Sequence, residues 1–285
     1  MARRLRLLDA SDNPLFTKTY QLLEQEGFVI RSCLCAGLTD LRKANLADKG
    51  GCYTAFFQLA IGIERMAKLA LILDHMAQNN LEAPGENAMR RYGHDLKVLY
   101  ENVRQFAHAR GYEPRDRFVL PQLSNNVLTF LSEFAKGMRY ANLDMLASGS
   151  PQTSPLHEWN CILKDTIASD VSVKEKERIT KQSKAIAEAL RSNTLVFSTN
   201  LADSPLTVDT IFAEPALQDV ANKHLVWKVL CLLVPLRDFI VESSNRASQT
   251  ESMEDPSVSN IPDMREFFHF ISIDRAHALR KKIWP

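Results

Sequence analysis

GCYTAFFQLAIGIERMAKLALILDHMAQN (Gly51–Asn79) is the stretch that decides the fold. It is apolar around nearly its whole circumference, which only a helix surrounded by other elements tolerates. Yet it carries Glu64, Arg65, Lys68, Asp74 and His75. At about 100° per residue, Glu64, Lys68 and His75 fall within about 40° of one another. A buried helix with one polar stripe must pair that stripe, because an unpaired buried charge is costly. The nearest candidates are Arg90, Arg91, His94 and Asp95, at the start of MRRYGHDLKVLYENVRQFAHAR (Met89–Arg110). Chemistry is expected there.

Outward from this helix the chain reads as helical throughout. Leu15–Phe28 is an opening helix that Gly27 helps to end, and Gly37–Lys49 is a weaker candidate. After the breakers of EAPGEN, a helix runs from about Gly93 to Ala109 with Leu96, Leu99, Tyr100, Val103 and Phe106 on one face. Ser124–Leu146 is again periodic. SGSPQTSP (Ser148–Pro155) marks a border, dividing a bundle over 1–147 from a C-terminal helical extension over 148–285 packed on it. In that extension, His157–Ser169, Val173–Ser192 and Pro215–Ser243 read as helices, the last carrying Pro235. Leu195–Leu206 is ambiguous, and LVFST could be extended. Ser243–Pro262, rich in Ser, Asn, Glu and Pro, reads as a long mobile loop. The tail should dock back through Phe267, Phe268, Phe270, Ile271 and Trp284. The fold class is all-α.

Composition narrows the function classes. The 285 residues are 45% hydrophobic and 24% charged, with a net charge of +1, an ordinary globular balance with no global bias toward nucleic acid. Five cysteines (Cys33, Cys35, Cys52, Cys161, Cys231) show no CxxC spacing and read as free thiols in a reducing cytoplasm. No stretch reads as a signal peptide or a membrane span. Phosphate-loop, dinucleotide, nucleophile-elbow and zincin motifs are absent, and the histidines lack metal-ligand spacing. Neither a cofactor nor a metal is expected.

LAIGIERMAK (Leu59–Lys68) followed by GHDLKVLYENV (Gly93–Val103) resembles HEPN-type helical domains, over about residues 39–146. The resemblance implies a helical bundle, here with additional C-terminal helices. It also implies a metal-independent endoribonuclease of toxin, abortive-infection or antiphage systems that acts as a homodimer or with a protein partner. Catalytic members carry a closely spaced arginine and histidine on a late helix. The corresponding KGMRYANLDML (Lys136–Leu146) has Arg139 and Asn142 but no histidine. The nearest such pair, Arg90 and His94, stands earlier, and Arg104 and His108 repeat its spacing.

Metal-free RNA cleavage needs a base for the 2′-hydroxyl, an acid for the departing 5′-oxygen and a cation for the phosphorane. Histidine suits the proton transfers and arginine the phosphate. The candidate catalytic residues are therefore His94, Arg90, Arg139 and Asn142, with Glu64, Lys68, Arg91 and Asp95 in support. On one helix, Arg90 and His94 would face the same way. Each also has a plainer reading: Glu64–Lys68 as a structural i,i+4 pair, Arg90 and Arg91 as solvated, His94 as a turn residue. The missing late-helix histidine keeps a second class open, a non-catalytic module that binds RNA or a protein and regulates an associated enzyme.

Overall fold

Thr17 starts the first helix by accepting the Tyr20 amide with its side chain, and α1 then runs unbroken over Lys18–Lys43. The computed structural model describes residues 16–112, 115–149, 153–191, 194–254 and 259–285. Gly27 does not end a helix. It lets the C-terminal aromatics close on α1, for a Cβ there would stand 2.7 Å from Phe267 Cγ. Asp48 caps α2 (Lys49–Gln78) by accepting the Gly51 amide at 3.2 Å. Two more glycines bring α1 and α2 together: a Cβ at Gly37 would meet Leu59 Cγ at 2.7 Å, and one at Gly62 would meet Leu34 Cδ2 at 2.6 Å. What reads in sequence as two helices is one because these glycines serve packing rather than termination.

The following elements are α3 (Glu86–Tyr92), α4 (Leu96–Ala109), α5 (Gln122–Lys136), α6 (Ala141–Ser148), α7 (Pro155–Asp170), α8 (Val173–Leu190), α9 (Ala213–Glu254), α10 (Arg265–Phe268) and α11 (Arg275–Arg280). Among the described residues there is no β-sheet; the ambiguous Leu195–Leu206 stretch is a loop with one isolated bridge between Thr199 and Pro205. Lys49 Nζ pins that loop at Thr199 Oγ1 and the Asn200 carbonyl. The protein is all-α.

As its apolar circumference requires, α2 is the central helix, packed by α1, α4, α5 and α9. Phe56 anchors its middle, with ring centroids 4.7 Å from Phe130, 5.5 Å from Phe134 and 4.9 Å from Trp159. One hydrophobic cluster takes in α1, α2, α4 and α5 together with α7, α9 and the tail, so the core runs across the 147/148 border. Phe267, Phe268, Phe270, Ile271 and Trp284 are buried in it, as the tail's pattern predicts.

Two further sequence expectations change. Ser124–Leu146 is not one helix: α5 ends at Lys136, Gly137 caps it, and a short 3-10 turn over Met138–Tyr140 leads into α6. Nor is Ser243–Pro262 a loop throughout, since α9 extends to Glu254. Its serines are the reason. Ser243, Ser244 and Ala247 are buried against the core, Ser244 Oγ donates to the Val241 carbonyl, and Arg246 pairs with Glu242 at 2.8 Å one turn back. Residues 255–258 of that stretch lie outside the described residues. No described helix is long and apolar enough to cross a membrane.

Candidate functional site

The GHDL stretch between α3 and α4 builds the site one residue at a time. Gly93 closes α3 at φ 65°, ψ −151°, a conformation essentially reserved for glycine, and turns the chain sharply. Asp95 caps α4: its Oδ1 accepts the amides of Lys97 at 3.0 Å and Val98 at 3.2 Å. The same carboxylate reaches α5, taking hydrogen bonds from Ser132 Oγ at 2.8 Å and Lys136 Nζ at 2.9 Å. Ser132 Oγ in turn accepts the Leu96 amide at 3.1 Å. Leu96 is wholly buried. The turn is thus clamped on its α4 and α5 side, and His94 is left between the clamp and the glycine.

His94 lies over α2, its Nδ1 2.8 Å from Glu64 Oε1. Lys68 Nζ donates to the same oxygen at 2.7 Å. A carboxylate only accepts, so Nδ1 carries a proton, and whenever the ring holds just that one proton Nε2 is the acceptor. Glu64 and Lys68 are about one-fifth exposed, whereas the His94 side chain is 78% exposed. The arrangement is a half-buried carboxylate orienting an accessible imidazole, the relation that sets the tautomer of a general base.

Glu64 and His94 line a cleft of about 360 Å³ together with Phe57, Ile61, Lys136 and Arg139. Phe57 packs edge-on to Phe134 at 5.0 Å and forms apolar wall, being 37% exposed. Lys136 is held by Asp95 and by Glu133 at 2.8 Å. Arg139 has no carboxylate partner among the described residues and lies 4.9 Å over the Tyr140 ring. Burial pushes the Asp95 carboxyl up, but hydrogen bonds from Lys136, Ser132 and the Val98 amide outweigh it and hold that group at about 2. Asp95 is consequently anionic throughout the working range and keeps Lys136 in place.

The structure therefore places Glu64, His94 and Arg139 in the lining of one cleft, with Lys68 and Asp95 bonded behind it to Glu64 and Lys136, and leaves others outside. Arg90 does not share a helix with His94, because α3 ends at Tyr92. It pairs with Glu86 at 2.6 Å, both side chains largely exposed. Arg91 donates to the Asn87 carbonyl. Asn142 sits on α6 and donates to Tyr53 Oη at 3.1 Å, near the start of α2. His75 is not part of the cleft lining, and the neighbouring Asp74 forms a bidentate pair with Arg110 at 2.9 and 3.1 Å. Sequence reasoning missed Lys136 and Phe57. Helical spacing could have found Phe57, which lies two turns before Glu64 on the same face of α2; no spacing rule links residues 64, 94 and 136, which only the packing of α2 against α4 and α5 brings together. Among the described residues no group of three or more His, Cys, Asp or Glu side chains is placed to hold a metal ion.

Neither a protein-family model, a curated protein nor a solved structure matches this chain.

Proposed function

We propose that this protein is a HEPN-like effector that cleaves cellular RNA without a metal ion, and that the Glu64–His94 pair carries the reaction. The supporting observation is that hydrogen bond, at the mouth of a cleft that also holds two cations, Lys136 and Arg139. In this reading Nε2 of His94 takes the proton of a ribose 2′-hydroxyl, while Glu64 fixes the ring and favours the imidazolium that forms. The 2′-oxygen attacks the adjacent phosphorus and the P–O5′ bond breaks. Lys136 and Arg139 neutralise charge on the non-bridging oxygens. The same histidine, now protonated, can return its proton to the departing 5′-oxygen. Lys68 holds the same Glu64 oxygen. The proposal carries with it a cytoplasmic location, a role in antiphage or toxin action, and assembly as a homodimer or with a protein partner.

A second reading, a regulatory module that binds RNA or protein without cutting, is favoured by the engagement of Arg90 with Glu86 and by the lack of a histidine near Arg139. The two separate in a cleavage assay on total cellular RNA in excess chelator. The nuclease reading expects cleavage by the parent and a loss of about 10²–10⁴ in rate for His94→Ala. A smaller loss is expected for Arg139→Ala. If the parent binds RNA and leaves it intact, the binding module stands.

A further inference from the structure

A second cavity, of about 400 Å³, lies between α9, the C-terminal tail and the 3-10 turn Arg115–Phe118. Arg117, Arg237 and Asp238 dominate its charge. Asp238, whose side chain is 9% exposed, pairs with both guanidinium groups. Arg237 is committed: its Nε and Nη2 go to Asp238 and its Nη1 to Ser272 Oγ. Arg117 engages Asp238 through Nη1 alone, and its Nε and Nη2 have no partner among the described residues. One carboxylate thus faces two guanidinium groups. The cavity keeps a surplus positive charge and an open guanidinium edge, on a side chain 49% exposed. The other charged groups of the lining are satisfied nearby, Arg265 by Asp263 and Glu242 by Arg246. Beside the cations the wall is apolar and aromatic, formed by Val241, the buried Phe268 and the half-buried ring of Tyr112, which is fixed at 6.0 Å from Phe239.

An open guanidinium edge binds two oxygens of a tetrahedral anion side by side, and a neighbouring flat apolar wall accepts a ring. The volume is within the range of small-molecule sites. We propose that this cavity binds a small phosphorylated ring compound, its phosphate on Arg117 and its ring along Tyr112. Asp238 sets Arg117 in place and, by its own charge, disfavours ligands that would bury the phosphate deeper. This site is separate from the Glu64–His94 cleft, with which it shares no lining residue.

Isothermal titration of the full chain at low salt tests the proposal with three probes: inorganic phosphate, phenyl phosphate and adenosine 5′-monophosphate. The two ring phosphates should bind at least about tenfold more tightly than inorganic phosphate, each CH₂-sized increment of buried ring contributing a few-fold. Arg117→Gln should weaken both by about tenfold or more, and Arg178→Gln, on α8 and outside the cavity lining, should not. Thermal melts establish that each variant is folded. Failure of all three probes to bind at millimolar concentration would overturn the site. Equal affinity for phosphate and the ring compounds, or unchanged binding by Arg117→Gln in a folded protein, would overturn it as well.

Discussion

Asp95 shows how much can rest on one side chain. It caps α4, ties α5 to that cap through Ser132 and Lys136, and thereby fixes the residue before it, His94, over Glu64. Removing it in Asp95→Ala should cost about 1–2 kcal/mol of stability, the usual range for a lost N-cap. Cleavage should fall as well, because the turn that presents His94 loosens. The pH dependence follows from the direction of the shift. The carboxyl is held at about 2 in the folded chain against an ordinary 3.8. Its stabilisation, about 2 kcal/mol, is therefore complete above the unfolded value and disappears as the pH falls through the folded one. Thermal melts between pH 5 and pH 2 should show a larger loss for the parent than for Asp95→Asn. Equal losses would remove Asp95 from this role. By contrast His94, largely exposed, should tolerate alanine with no more than about 0.5 kcal/mol of change. The polar stripe of α2 and its need for partners were legible in the sequence, and so was His94 as one partner. Lys136 was not, because its place follows from how α5 packs.

At the scale of elements, the glycines of α1 and α2 carry information that a pattern of helix starts and stops misreads. Gly37→Ala tests this. Alanine gains about 1 kcal/mol of helix propensity over glycine. Against that, its Cβ would stand 2.7 Å from Leu59 Cγ and 3.0 Å from the Leu59 backbone nitrogen, with Leu59 fully buried. Overpacking of this kind costs about 1–3 kcal/mol, and a backbone atom cannot step aside, so the clash wins and the midpoint of chemical unfolding should fall. A rise would mean the helices separate freely. Periodicity found α4, α7 and α8 nearly whole from their buried faces, and α2 stood out by its apolar circumference. It merged α5 and α6, because Met138, Ala141 and Met145 continue the spacing of the α5 stripe past Gly137, although Ala141 is buried and Met145 is exposed. It lost the end of α9, because buried serines carry no hydrophobic signal.

For the whole molecule, the decisive fact is a core that crosses the sequence border at Ser148. Leu225, Val229, Leu233, Leu236 and Phe239 of α9 are fully buried in the same cluster as Leu59, Ile63 and Met66 of α2. A fragment of residues 1–147 would expose that face, and each large apolar side chain left in water forgoes about 1.5–3 kcal/mol. The fragment should show no cooperative thermal transition, whereas the full chain should unfold in one step. A fragment that melts cooperatively would mean that the bundle over 1–147 folds without its C-terminal extension. What the fold brings together is a cleft with a carboxylate-oriented histidine and two cations, and the central claim is that this cleft cuts RNA. The most direct measurement is the rate of RNA cleavage in excess chelator by the purified full chain and by His94→Ala, with both melting within a few degrees of each other. The account predicts cleavage by the parent and a loss of about 10²–10⁴ in the variant; equal rates for the two, or no cleavage by the folded parent alone or with its partner, would contradict it.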